Sequence, residues 1–218
     1  MRLLLIRHGQ TPSNVEGSLD TRIPGPGLTP LGHAQAEAIP LTLANERIDA
    51  IYASVQVRSQ ITAAPLAAHH GVQVQIRAGI REISSGDYEM RRDRDAVEAY
   101  LTTMLTWAAG HLELPMPGGE TGVEIFERFD EVVAEAHAAG HSTVAFVSHG
   151  AVIRTWVGHR ASNVTAEYVG ENPLHNTGVV VLEGSPETGW TVLTYMGEAL
   201  GGPEVDDASH DGPAAETV

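Results

Sequence analysis

Short apolar runs alternating with helix-patterned segments set the tightest limit on what this chain can fold into. Leu3–Ile6 is a continuous apolar run of the length of a strand buried on both faces. Ala50–Ala53 and Thr143–Val147 repeat that pattern, Val72–Ile76 alternates as a short strand, and Thr177–Leu182 and Thr191–Tyr195 read as two final strands around Gly184–Gly189. Between them, Thr29-Pro30 has the form of an N-cap with proline at the first helical position, and Leu31, Ala34, Ala38 and Leu41 follow at helical spacing. Pro40 is expected to kink or end that helix early. Val57–His69 reads as a helix closed by Gly71, Arg94–Ala109 and Glu120–Ala139 as two more, and Ala151–Val157 as another. Strands that alternate with helices imply an α/β fold, a mostly parallel central sheet flanked by helices in a three-layer sandwich.

The chain of 218 residues has the length of one domain. Residues 1–200 are assigned to it. The stretch 201–218 changes character: it carries Glu204, Asp206, Asp207, Asp211 and Glu216 among Gly and Pro, with no basic residue. It reads as an acidic, disordered tail whose removal should cost little. With 13 basic and 28 acidic residues the net charge is −15, which excludes a general binder of nucleic acid or anionic membrane. The longest apolar stretches are four or five residues, against about 20 for a membrane helix and about 7–15 for a signal-peptide core. The absence of Cys removes disulfides, a thiol nucleophile and thiolate metal sites, so a cytoplasmic location is expected.

In open α/β sheets, ligands sit beyond the C-terminal ends of the strands. There the chain reads Arg7-His8-Gly9-Gln10-Thr11 with Asn14 nearby, Ala53-Ser54 followed by Arg58, and Ser148-His149-Gly150. Arg presents a planar fork of donors that matches phosphate oxygens. A neutral imidazole attacks phosphorus, and a second imidazole can donate to the developing charge. Glycine after each histidine lets backbone approach a ligand closely. Each element alone has a plainer reading: Arg58 as a surface helix residue, His149 as a hydrogen-bonded core histidine. Together Arg7, His8, Arg58 and His149 make a phosphoryl pocket that needs no metal and no cofactor. His69, His70, His137 and His141 carry no ligand spacing and read as exposed histidines; Trp107, Trp156 and Trp190 read as core.

Leu5–Thr11 resembles the signature of the histidine phosphatase superfamily, the phosphoglycerate mutase-like fold. Leu28-Thr29-Pro30-Leu31-Gly32 with Gln35-Ala36, Ser54 with Arg58 and Thr62-Ala63, Arg81-Glu82-Ile83, Pro117–Thr121 and Val147–Gly150 are similar to the family's further motifs, in order. The resemblance implies that His8 becomes a phosphohistidine, that Glu82 is the proton donor, and that Arg7, Gln10, Asn14, Arg58, His149 and Gly150 bind the phosphoryl group of a small phosphorylated substrate. The loop Thr21–Gly27, with Pro24-Gly25-Pro26-Gly27, is longer than the family pattern, and Tyr88-Glu89-Met90 stands where Trp-Glu-Gly is common. The expected function is a phosphatase. A phosphoglycerate mutase and a non-catalytic phospho-ligand binder are the alternatives. The sequence names neither the substrate nor the oligomeric state.

Overall fold

The computed structural model describes residues 1–217. Its elements run β1 (Arg2–Arg7), α1 (Pro12–Glu16), α2 (Pro30–Thr42), β2 (Ala50–Ser54), α3 (Val57–His70), β3 (Val74–Arg77), α4 (Arg94–Ala108), α5 (Gly122–Ala138), β4 (Thr143–Ser148), α6 (Gly150–Arg160), α7 (Ala166–Glu171), β5 (Val179–Ser185) and β6 (Gly189–Met196). One six-stranded sheet has the order β3-β2-β4-β1-β5-β6. The first four of these are mutually parallel, and β5 and β6 close the other edge antiparallel. This is the α/β sandwich expected from the alternation.

Side chains alternate across a strand, so each apolar run feeds two cores. Leu3, Leu5, Tyr52, Val144 and Phe146 face one layer with residues of α4, α5 and α6. Leu4, Ile6, Ile51, Ala53, Ala145 and Val147 face the other, with Ile39 of α2 and Ala63 and Leu66 of α3. Trp107, Trp156 and Trp190 are all buried in the first layer. Pro40 sits in the last turn of α2, which runs two residues beyond it. Among the described residues no helix is long and apolar enough to cross a membrane.

Several helix starts carry side-chain caps. Thr11 and Asn14 form a reciprocal capping box on α1, and Thr121 and Glu124 form one on α5. Thr29 and Asp93 cap α2 and α4.

The tail differs from expectation. Residues after Leu200 fold back over the C-terminal end of the sheet and form short 3₁₀ turns at Ala208–His210 and Pro213–Ala215. Asp211 and Pro213 are buried. The reason lies in backbone, not in apolar side chains. Arg7 donates through Nη2 to the Asp211 carbonyl. Arg154, fully buried in α6, donates through Nη1 to the carbonyls of Ala214 and Glu216 at 2.7 and 3.1 Å. A buried guanidinium needs its hydrogen bonds, and the tail supplies part of them beside Leu174, Val169 and Gly170.

Cutting the chain after Leu200 should therefore destabilise it. Stranding these two cations costs about 2 kcal/mol or more, which lowers Tm by about 4–8 °C in a protein of this size. Thermal unfolding of the truncated and full chains checks this; equal Tm values would show that the tail contributes no stability.

Candidate active site

The register of β1 against β4 builds the site. Arg7 pairs with Ser148, so the residues that follow, His8 and His149, leave the sheet side by side. Their ring centroids are 5.1 Å apart. β2 lies beyond β4 and ends at Ser54, from which α3 carries Arg58 back to the same place. A cavity of about 30 Å³ opens here, lined by Arg7, His8, Thr11, Ser13, Asn14, Ser18, Leu19, Asp20, Thr21, Arg58, Glu82, Tyr100, Pro213 and Ala214. That space holds about two waters.

His8 is buried, and burial, reinforced by Arg58 and Arg7, pushes its imidazole well below the usual histidine range. It is neutral at pH 7. Its Nδ1 lies 2.8 Å from the Gly9 carbonyl, an acceptor, so Nδ1 carries the hydrogen. The lone pair is then on Nε2.

Arg7 donates through Nη1 to the Leu174 carbonyl at 2.6 Å and through Nη2 to Asp211. Arg58 donates through Nη2 to the Asp20 carbonyl at 3.2 Å and through Nε to His149 Nδ1 at 3.3 Å. Arg7 Nε and Arg58 Nη1 are buried with no hydrogen-bond partner.

Glu82 is buried too, in the loop after β3. Its Oε1 accepts from the Ile83 and Val152 amides at 2.9 Å, and Oε2 from the Ala151 amide at 3.2 Å. Burial raises its carboxyl, against the opposing pull of these amides and of Arg58. Arg128 holds the loop, donating to the carbonyls of Gly79, Arg81 and Glu82, and Glu120 holds Arg128. Gln56 accepts from the Glu82 amide and donates to the Thr21 carbonyl. The Pro117–Thr121 motif thus bears on Glu82 through Glu120.

Three residues sit differently from expectation. His149 accepts from Arg58 at Nδ1, so its hydrogen is on Nε2, which faces Ser54 Oγ at 2.7 Å. In this arrangement its ring orients Arg58. Gln10 is engaged away from the cavity, with Thr29 at 2.8 Å and Asp207 at 3.1 Å. Gly9 faces backbone rather than a ligand: a Cβ there would lie 2.6 Å from the Gly32 carbonyl oxygen. Gly150 does give access, since a Cβ would come within 3.1 Å of Arg7 Nε and 3.2 Å of Ala214. Asn14 lines the cavity, its Oδ1 held by the Thr11 amide at 3.0 Å.

The sequence reading misses Ser13, Ser18, Leu19, Tyr100, Pro213 and Ala214 in the wall. Thr21, which opens the loop departing from the family pattern, and Asp20 before it also line the cavity. Thr21 is clamped by Glu89, which accepts from its amide at 2.9 Å and its hydroxyl at 2.5 Å. Glu89 in the divergent Tyr88-Glu89-Met90 segment was the available signal.

Residues 3–196 match the model of the histidine phosphatase superfamily, branch 1. The chain belongs to this superfamily. A PE-PGRS family protein of Mycobacterium tuberculosis is 35% identical over 212 residues, covering 90% of this chain and 36% of its own length. This chain therefore spans about a third of that relative. Putative phosphoserine phosphatase 2 of Hydrogenobacter thermophilus is 29% identical over 156 residues, 72% of this chain and 76% of that protein. Among solved structures, a mycobacterial glucosyl-3-phosphoglycerate phosphatase in complex with VO3 superposes with a TM-score of 0.74 at 25% identity, covering 89% of this chain and 98% of that one.

Burial lowers the imidazoles of both His8 and His149. The unfolded chain therefore binds more protons as pH falls through about 6.5. The contribution of these two groups is complete above that value and is lost on acidification, until the folded imidazoles themselves protonate. NMR titration should find both rings neutral at pH 6.5, with His8 in the Nδ1–H tautomer. A midpoint at or above 6.5 for either ring contradicts this electrostatic account.

Proposed function

We propose that this chain hydrolyses phosphomonoesters through a phosphohistidine on His8, with Glu82 as proton donor. The observation that carries this reading is the pair of buried, partnerless guanidinium nitrogens, Arg7 Nε and Arg58 Nη1, in the wall that also holds His8 and Glu82. Such donors match the oxygens of a tetrahedral phosphoryl group.

In the first step the His8 Nε2 lone pair forms a bond to phosphorus while the bond to the ester oxygen breaks. Glu82 gives its proton to that oxygen, sparing an alkoxide from leaving. Arg7 and Arg58 hold the phosphoryl oxygens, with the Asn14 amide assisting. The hydrogen stays on Nδ1, donated to the Gly9 carbonyl, so the phosphorylated ring is cationic and a good leaving group. In the second step water attacks phosphorus, Glu82 takes the water's proton, the nitrogen–phosphorus bond breaks and neutral His8 returns. The raised Glu82 carboxyl suits a group that must first give and then accept.

The substrate is a small phosphorylated molecule. Relatives named as phosphoserine, glucosyl-3-phosphoglycerate and α-ribazole phosphatases support that class. Hydrolysis is favoured over mutase chemistry because a mutase must hold a second anionic group. Between Glu82 and Pro117, Arg91 is paired with Asp93 at 2.6 Å and Arg94 lies 3.8 Å from Glu98. The cavity wall itself adds Asp20, Ser13 and Ser18 and no cation beyond Arg7 and Arg58.

His8→Ala should abolish turnover with the fold intact. Glu82→Gln should slow alkyl phosphates by about 10²–10⁴-fold and p-nitrophenyl phosphate far less in the first step, since nitrophenolate leaves without protonation. Steady-state and burst kinetics on both substrates read this. An equal loss on both, with no burst, would reassign Glu82 to a structural role. Residual turnover in pure His8→Ala would remove His8 from the chemistry.

A further inference from the structure

Outside the phosphoryl pocket, one cluster joins the tail to the body. His175, in the loop before β5, meets Asp206 and Asp211 of the tail. His175 Nδ1 lies 3.4 Å from Asp206 Oδ1 and 3.4 Å from Asp211 Oδ2. One ligand atom from each of the three residues can be taken with all of them within 4.8 Å of one another.

The hydrogen bonding of this cluster is incomplete. Asp211 is 2% exposed. Its Oδ1 accepts from the Asn176 amide at 3.0 Å, but its Oδ2 is buried without a hydrogen-bond partner and points at the imidazole. A ring nitrogen carries one hydrogen, so Nδ1 can serve one carboxylate and not both. Its bond to Asp206 is already long. A buried carboxylate oxygen left in this way is costly. The nearby cation, Arg7, directs Nη1 and Nη2 to carbonyls and does not donate to Oδ2.

A divalent cation at the centre would satisfy all three groups at once. For a tetrahedral ion with ligands at about 2.0–2.1 Å, neighbouring ligand atoms lie about 3.3–3.4 Å apart. Both histidine–carboxylate separations have this length. One imidazole nitrogen with two carboxylate oxygens is a zinc-type donor set, with a fourth position left for water.

We infer that His175, Asp206 and Asp211 form a zinc-type divalent-cation site that latches the C-terminal tail over the phosphoryl pocket. The latch is coupled to the pocket through two short connections. The Asp211 carbonyl accepts from Arg7, and Leu174, next to His175, supplies Arg7's other carbonyl. Pro213 and Ala214, two and three residues beyond Asp211, form part of the cavity wall. The closed tail thus narrows the mouth of the cavity. Release of the cation would leave the tail held by the hydrogen bonds of Arg7 and Arg154 and so loosen it over the mouth. This assignment needs no particular reaction in the pocket.

The test uses the full chain, stripped of metal with EDTA and titrated with Zn²⁺, then with Co²⁺ as a spectroscopic probe. One equivalent should bind, Co²⁺ should show the visible absorption of a four-coordinate site, and amide hydrogen exchange across residues 206–216 should slow. Loss of a group that merely supports a ligand costs about 10–100-fold in affinity. Removal of a ligand by His175→Gln or Asp211→Asn should cost about 100-fold or more. Asp206→Asn, at a partly exposed position, does the same with less risk to the fold, checked by circular dichroism. The double variant His69→Asn/His70→Asn removes the adjacent imidazoles of α3 and should bind as wild type. Unchanged affinity in folded Asp206→Asn and His175→Gln overturns the site, as does loss of binding in the His69/His70 variant. Tight binding without slowed exchange at 206–216 overturns the latch.

Discussion

Three guanidinium groups are buried here without a carboxylate partner, and much of the structure is arranged around that cost. Arg7, Arg58 and Arg154 are at most 3% exposed, and none of them forms an ion pair among the described residues. Their partners are backbone carbonyls of Leu174, Asp211, Asp20, Val169 and Ala214, together with the His149 ring. Carbonyl dipoles stabilise a cation without cancelling its charge. Arg7 and Arg58 therefore keep their field, and that field helps to hold His8 neutral. On the proposed reading, the open positions at Arg7 Nε and Arg58 Nη1 receive the phosphoryl group, which brings the missing negative charge. The net charge of −15 does not oppose this inside the site, since distant surface charge is screened beyond about 8 Å.

The buried strands are legible in the sequence because a strand covered on both faces must be apolar throughout. Leu3–Ile6 and Thr143–Val147 can be little else, and they place His8 and His149 at neighbouring strand ends. Arg7, His8, Arg58, Glu82 and Asn14 do reach one cavity wall. His149 shows the limit of that reading. Residue type announces a donor, but the tautomer is set by Arg58 and Ser54, and only the fold brings those three together. α1 is too short for a periodic signal; its trace is the capping pair Thr11 and Asn14.

The tail shows a second limit. Its composition says that it buries little apolar surface, and that is correct. What binds it is main-chain oxygen, which every sequence offers equally. The signal is elsewhere in the chain: an arginine in α6, whose other face packs in the core, must find acceptors. The same backbone contacts that hold the tail also orient Arg7.

The central claim is that neutral His8, hydrogen-bonded through Nδ1, attacks through Nε2. Its most direct test is to stop turnover of a phosphomonoester by rapid quench at alkaline pH and to locate the phosphate by mass spectrometry and ³¹P–¹⁵N NMR. The account predicts an acid-labile, base-stable phosphoryl group on His8 Nε2. A phosphoryl group on His8 Nδ1, on another residue, or on none under conditions where turnover proceeds would contradict it.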